Sequence, residues 1–416
     1  MWVTTMNEIE TIEKEEVRFS DEGDDQEAES TEEKRKSELD EIAEIVVSGI
    51  DWTTETIFNQ LVRRNIKLNP RFQRRDAWTI TRKSRLIESL ILGFPVPQIV
   101  LAADEKERGK FIVLDGKQRL LTILQFYGQS ETPNNEFSLK DLEFRPELNG
   151  KKYKDLKNDP YFNSELNNLD NQTIRNILIR NWHSENFLYK IFLRLNIEST
   201  PLSPQELRQA LHPGPFINFL DDKSIESNAL RKILKSRNPD FRMRDVELLL
   251  RYTAFHYFLS GYRGNLKAFL DMTCKELNKE WEEKIDNIKN TVDQFEKAVE
   301  TTINIFGEKH FSRMWLSKER TYRSQFNRAI LDVMVFYFSD ILVREAAEKN
   351  KTAVENAFKE LCDNDQFKES IVGTTKNLGE THTRLSLWGK ALLRVLDIEF
   401  NVPELDDNRI VFDGLR

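Results

Sequence analysis

The chain has 416 residues, of which 39% are hydrophobic and 32% charged, and this length is sufficient for two domains with separate cores. Its two cysteines, Cys274 and Cys362, exclude a disulfide framework or a four-thiolate metal site and are typical of a reducing cytoplasm. No signal-peptide pattern opens the sequence, and no apolar run approaches the roughly 20 residues that span a bilayer, so we expect a cytoplasmic protein with no membrane partner.

The net charge of −8 is unevenly distributed along the chain. Residues 1–50 contain 17 acidic and 5 basic side chains, so the remaining 366 residues carry a charge of +4. The first forty residues lack apolar periodicity, and we predict an acidic disordered tail over residues 1–45. A slightly basic body could approach phosphates, whereas such a tail would repel them.

Short helices and strands are predicted from about residue 46. Thr54 is a candidate cap for a first helix, and Thr81 for a second helix that Gly93 would close with a left-handed turn. Residues 99–101 and 111–114 are predicted to be two strands joined by a charged hairpin.

A further helix is predicted after Gly116, running through Tyr127. The next fifty residues carry weak strand signals at 137–139 and Tyr153, and residues 176–179 are a further candidate strand.

Ser203-Pro204-Gln205-Glu206 indicates a helix start, with a hydroxyl cap, a proline in the first turn and a capping-box glutamate. From about residue 216 apolar residues recur at helical spacing, over 248–259, 277–306, 324–350 and 385–396. We therefore predict an α+β domain at 46–215 and an all-α helical domain at 216–416.

The junction between the second hairpin strand and the following helix is the most informative segment. It reads Asp115-Gly116-Lys117-Gln118-Arg119. The glycine permits a tight turn, and the unpaired N–H groups that open the helix suit an anion such as phosphate. Arg119 could add a charge-assisted contact, and Asp115 could hold a divalent ion or position a nucleophile. The alternative is an ordinary Asp-Gly turn that caps a helix.

A second candidate element covers residues 69–78. Three arginines among aromatic side chains suit contact with phosphate and stacking on a base. The alternative is a surface loop that Phe72 and Trp78 anchor.

Taken together, these segments resemble the N-terminal domain of GmrSD-type restriction enzymes, a relative of ParB and sulfiredoxin. The resemblance covers about residues 45–260. The motifs that carry it, in order, are Phe72-Gln73-Arg74, Trp78, Lys83 to Leu90, Pro95-Val96-Pro97, Asp115 to Leu120, Phe192 to Asn196, Leu202, Glu206-Leu207-Arg208 and Arg242 to Asp245 with Glu247 and Arg251. It implies a ParB-like fold for the first domain.

The resemblance also implies a nucleotide site. The family signature is Asp-Gly-Gln-Gln-Arg, associated with binding and hydrolysis of nucleoside triphosphates. This sequence departs from it at Lys117, where glutamine is usual. The implied ligand is GTP, ATP or CTP with Mg²⁺. The implied catalytic residues are Asp115, Gln118 and Arg119, and the implied binding residues are Gln73, Arg74, Trp78, Gly116, Lys117, Asn196 and Arg208.

Many relatives carry a C-terminal HNH nuclease domain, which needs a histidine base beside metal ligands. The five histidines of this chain are isolated in sequence, and His382 is the best candidate near the C-terminus. Arg251 and His256 have the spacing of HEPN ribonucleases. We interpret both features as structural, and the aromatic runs at 255–258 and 336–338 as helix-packing core.

The resemblance thus predicts a nucleotide-binding, possible NTP-hydrolysing sensor or regulator in prokaryotic anti-phage defence, acting with a separate nuclease. Two alternatives stay open. One is a self-contained nuclease with an unrecognised site, and the other is a DNA-binding protein that nucleotide switches.

Overall fold

The computed structural model describes residues 45–68, 78–105, 107–128, 136–182, 188, 191, 203–236, 238–372 and 377–416. Contacts among them define two compact units. The first, here called the sheet unit, includes the described residues up to 217 and residues 239–244. The second, the helical unit, includes residues 218–238 and the described residues from 245 on. The predicted fold class, a mixed α/β N-terminal part followed by a largely helical part, is confirmed.

A five-stranded mixed sheet organises the sheet unit. Its strands are β1 (Val46–Thr53), β2 (Ile66–Lys67), β3 (Ile99–Ala103), β4 (Phe111–Asp115) and β5 (Thr173–Arg180). Their order in the sheet is β1–β5–β3–β4–β2. The predicted hairpin is confirmed, since β3 and β4 pair antiparallel. β5 lies between β1, to which it is antiparallel, and β3, to which it is parallel.

Helices cover both faces of this sheet. The helices in question are α1 (Thr54–Val62), α2 (Ile80–Ile91), α3 (Lys117–Phe126), α4 (Tyr153–Asn158), α5 (Asn163–Asn171) and α6 (Pro204–Leu211), with 3₁₀ turns at Pro146–Leu148 and Pro160–Phe162.

Strand alternation divides the sheet unit's core into two clusters. Leu101 and Val113 pack with α1, α2, α3 and α5 on one face. Val100 and Leu114 pack with Leu207 of α6 on the other face. Since successive side chains of a strand point to opposite faces, the apolar runs of β3 and β4 supply both clusters. Helices α3 and α6 therefore lie on opposite faces of the sheet.

Two predicted helix caps are one or two residues away from the observed ones. Thr53 caps α1 by accepting the N–H of Thr56, whereas Thr54 donates its hydroxyl to the carbonyl of Gln172. Likewise Thr79 caps α2, and Thr81 instead donates to Asp141. A run of threonines offers several hydroxyls, and the buried face of the helix selects among them.

Two weak strand signals proved wrong. Residues 137–139 are not in a strand, and Tyr153 begins the short helix α4. Its ring stacks on Tyr127 with centroids 4.1 Å apart, so packing rather than strand propensity accounts for the aromatic residue there.

The chain beyond residue 215 is largely helical, as predicted, but two of the predicted helices are divided. A break at Glu280 separates two helices where one was expected, and a break near Asp340 separates another pair. The helices are α7 (Pro215–Glu226), α8 (Asn228–Leu234), α9 (Arg244–Phe258), α10 (Leu266–Lys279), α11 (Trp281–Phe306), α12 (Arg328–Phe338), α13 (Ile341–Lys349), α14 (Lys351–Leu361), α15 (Asp365–Val372) and α16 (Leu378–Val395), with a 3₁₀ turn at Leu259–Gly261.

The prediction of an all-α region omitted two short hairpins. They are β6 (Trp315–Leu316) with β7 (Thr321–Tyr322), and β8 (Glu404–Asp406) with β9 (Arg409–Val411). Tyr337, Phe338 and Trp388 are fully buried in this unit, which confirms the core role expected for the run at 336–338.

Candidate functional site

The segment Asp115 to Arg119 lies where β4 turns into α3. Gly116 is the N-cap residue of α3 and has φ 95° and ψ 9°. A Cβ at this position would lie 3.0 Å from Cγ1 of Ile99 and 3.3 Å from Nη2 of Arg119. Both the conformation and the space therefore require glycine. Gly116 has no side chain with which to cap α3, and the N–H groups that open the helix have no partner within the helix itself.

Arg119 is held beside this turn by two contacts. Its Nη2 donates to Oδ2 of Asp115 at 2.8 Å and to the backbone carbonyl of Gln98 at 2.9 Å. The two side chains of the ion pair are 11% and 23% exposed. The Nε of Arg119 is buried and has no hydrogen-bond partner in the described part of the chain. The guanidinium is thus oriented, and one of its donors is unused.

Lys117 forms a buried ion pair with Glu206 on α6, and each side chain is only 5% exposed. The other carboxylate oxygen of Glu206 accepts the N–H of Ser203 at 2.7 Å, which confirms the capping box predicted there. Glu206 thus joins the first turn of α3 to the first turn of α6. The side chain of Lys117 is consequently directed to Glu206 rather than to solvent.

The side chain of Gln118 is partly buried, and that of Arg208 is buried. Oε1 of Gln118 is buried without a hydrogen-bond partner among the described residues. Arg208 is 5% exposed, and its Nη1 donates to Oε1 of Gln205 at 2.5 Å. Arg208 therefore belongs to the interior of the sheet unit.

Two glutamines that are not among the predicted site residues lie on α6. Gln205 and Gln209 are 0% and 1% exposed. The Nε2 of Gln205 and both polar side-chain atoms of Gln209 have no hydrogen-bond partner in the described part of the chain. The sequence feature that could have indicated these two residues is a pair of glutamines four positions apart, on either side of the capping-box residue Glu206.

Of the remaining predicted binding residues, only Trp78 lies in the part of the chain that the structure describes. Trp78 packs against the core cluster that contains α3, and the guanidinium carbon of Arg82 lies 4.5 Å from the centroid of its ring. Gln73, Arg74 and Asn196 lie outside the described residues.

The Arg251–His256 spacing does not form a site. Arg251 is 3% exposed and forms a buried ion pair with Asp332 of α12, whereas His256 is exposed. Residues five positions apart on a helix point about 140° apart, so these two side chains diverge.

His382 is also engaged in structure. Its Nε2 lies 3.2 Å from the carbonyl oxygen of Pro403, and partial burial lowers the pKa of its imidazole. Among the residues that the structure describes, no three His, Cys, Asp or Glu side chains come together as metal ligands.

Comparison with known protein families gives a match that includes the segment Asp115 to Arg119. Residues 55–213 match the family described as GmrSD restriction endonuclease, N-terminal domain. This part of the chain, which contains β4, α3 and α6, is therefore similar to a GmrSD-type N-terminal domain. No curated protein and no solved structure matches the chain. None of the helices in the described ranges is long and apolar enough to cross a membrane.

Proposed function

We propose that the GmrSD-type domain binds a nucleoside triphosphate and acts as a sensor or regulatory component of a restriction-like system, with a separate nuclease as effector. The start of α3 carries this proposal. Gly116 offers no side-chain cap to its first N–H groups and forms the left-handed turn that opens the helix, and the oriented guanidinium of Arg119 lies beside this turn. A helix N-terminus flanked by a cation favours phosphate.

The neighbouring side chains fit handling of the terminal phosphate. Asp115 fits as a carboxylate ligand for a Mg²⁺ ion that arrives with the nucleotide, since such ions are held by phosphates and one or two carboxylates. The ion would neutralise phosphate charge. The buried, unpartnered Oε1 of Gln118 fits the orientation of a water molecule toward that phosphate. GTP, ATP and CTP remain the candidate nucleotides.

Lys117 and Arg208 act in this proposal by positioning. The Lys117–Glu206 pair links the first turn of α6 to the first turn of α3, and Arg208 donates a hydrogen bond to Gln205 on the same helix. The lysine in place of the family's usual glutamine thus keeps a donor for Glu206.

Calorimetric titration of the full chain with ATP, GTP and CTP in Mg²⁺ tests the proposal. Arg119→Met removes a charge-assisted contact, and we expect a loss of about 1.5–3 kcal/mol of binding, or roughly 10- to 150-fold in Kd. Arg175→Met is the matched control, because Arg175 forms an exposed ion pair with Asp51 on the same sheet. Equal binding by wild type and Arg119→Met would refute the site, and absence of binding by the wild type would refute the function.

A further inference from the structure

The unsatisfied glutamines of α6 need a physical explanation. A buried amide without hydrogen bonds costs free energy, and native proteins retain few of them. Among the described residues, Gln209 has no partner for either its donor or its acceptor, at 1% exposure, and Gln205, one turn earlier, has none for its donor. Such groups are expected where a ligand supplies the missing partners.

The position of Gln209 relates it to the proposed phosphate site. Residues three and four apart on a helix are neighbours on its surface. Gln209 follows Glu206 by three residues and Gln205 by four, so it lies one turn along α6 from the carboxylate that contacts Lys117. The Lys117–Glu206 ion pair thus connects the helix that carries these amides to the start of α3.

The chemistry of these groups differs from that of the start of α3. Phosphate is an acceptor of hydrogen bonds and prefers cations and N–H groups. An amide offers a donor beside an acceptor, the arrangement with which glutamine pairs in bidentate fashion with a base edge. The amide of Gln209 is uncharged and has both groups unpartnered among the described residues, so it is suited to the base rather than to the phosphates.

We infer that the face of α6 carrying Gln205 and Gln209 recognises the base of the nucleotide whose phosphates bind at the start of α3. This inference rests on the proposed function. It assigns α6 the selection of the nucleotide and leaves phosphate affinity to Arg119 and the first turn of α3.

The test compares nucleotides with inorganic tripolyphosphate, which has the phosphates and no base. Wild-type full-length protein is titrated with tripolyphosphate, ATP, GTP, CTP and UTP in Mg²⁺. We expect at least one nucleotide to bind more tightly than tripolyphosphate. In Gln209→Met we expect that advantage to shrink by about tenfold, since one or two hydrogen bonds are lost, while tripolyphosphate affinity is unchanged. Gln60→Met, on α1, is the matched control and should retain the full advantage.

A thermal melt of the ligand-free variants provides a second readout. Methionine has nearly the shape of glutamine and no unsatisfied amide, so Gln209→Met should melt higher than wild type, by about 2–4 °C. Gln209→Leu should behave in the same way if methionine alone disturbs packing. A higher melting temperature with an unchanged nucleotide advantage would overturn the inference and leave the proposed function intact. Failure of wild type to bind tripolyphosphate and every nucleotide would overturn both.

Discussion

Gly116 combines a left-handed backbone with a crowded Cβ position, and these two constraints can be measured separately. Gly109, in the β3–β4 hairpin, has a similar φ of 84° but nothing within 4 Å of its Cβ position. We predict that Gly109→Ala costs about 1 kcal/mol of unfolding free energy for the backbone alone. Gly116→Ala should cost about 2–3 kcal/mol, because Ile99 must also move. Urea unfolding of both variants is the measurement, and equal losses would contradict the crowding argument.

Substitutions of Lys117 test whether this residue stabilises the fold or contacts the ligand. Lys117→Met leaves the Glu206 carboxylate buried without its cation, and we expect a loss of about 3–5 kcal/mol of unfolding free energy. Lys117→Gln should lose clearly less, since an amide can still donate to Glu206. Its triphosphate affinity should equal that of wild type. A tenfold loss of affinity in a Lys117→Gln variant of normal stability would instead place the ammonium in contact with the ligand.

Some of the candidate site could be predicted from residue order, and some could not. The turn at Gly116 and the cap at Ser203 follow from local chemistry within a few residues of each position. The pairing of Lys117 with Glu206 joins residues 89 positions apart, and spacing along the chain carries no information about it. The unsatisfied state of Gln209 likewise depends on what surrounds it in three dimensions.

At the scale of elements, a carboxylate joins α5 to the end of α3 and to α4. Asp170 accepts the hydroxyl of Tyr127 at 2.6 Å and lies 3.4 Å from that of Tyr153. Burial raises the pKa of its carboxyl above the usual 3.8, and the nearby Glu55 acts in the same direction. The folded protein therefore holds this proton to higher pH than the unfolded chain does.

The sign of the resulting pH dependence follows from linkage. As pH rises above 3.8 toward the raised pKa, the unfolded state loses the proton first, so this group's contribution to stability falls. Asp170→Asn keeps an acceptor for Tyr127 and removes the titration. We predict that Asp170→Asn gains stability relative to wild type between pH 4 and pH 7, measured by thermal melts.

The control for this pH series has the opposite sign. Hydrogen bonding to Arg145 lowers the pKa of the exposed Glu147 carboxyl. Its contribution is present above the unfolded pKa and is lost as pH falls through the folded pKa, so Glu147→Gln should lose stability relative to wild type as pH rises over its titration. A common trend in both variants would contradict the assignment to Asp170.

Element boundaries show where sequence periodicity stops being informative. The hairpin of β3 and β4 was predictable because charged residues separate two apolar runs. Periodicity continues across Glu280, however, so the division between α10 and α11 was not visible in it. Packing decides such breaks, as it decides between Thr53 and Thr54 at the start of α1.

At the scale of the whole molecule, we predict that the purified chain does not cleave nucleic acid. Phosphodiester hydrolysis needs an activated nucleophile and a cation for the developing charge. In the described ranges Arg251 is sequestered by Asp332, and no cluster of three metal-ligating side chains is present. Plasmid, phage DNA and RNA incubated with Mg²⁺ or Mn²⁺ and nucleotide should remain intact. Cleavage that is lost in His256→Ala or His382→Ala would place a nuclease site in the helical unit.

Hydrogen exchange of the full chain, with and without saturating nucleotide, tests the central proposal most directly. The N–H groups of residues 117–119 open α3 without helical partners, so they should exchange rapidly in the free protein. We predict that nucleotide slows their exchange and that of α6, residues 204–211. Protection confined to residues 245–416, with residues 117–119 unchanged, would contradict it.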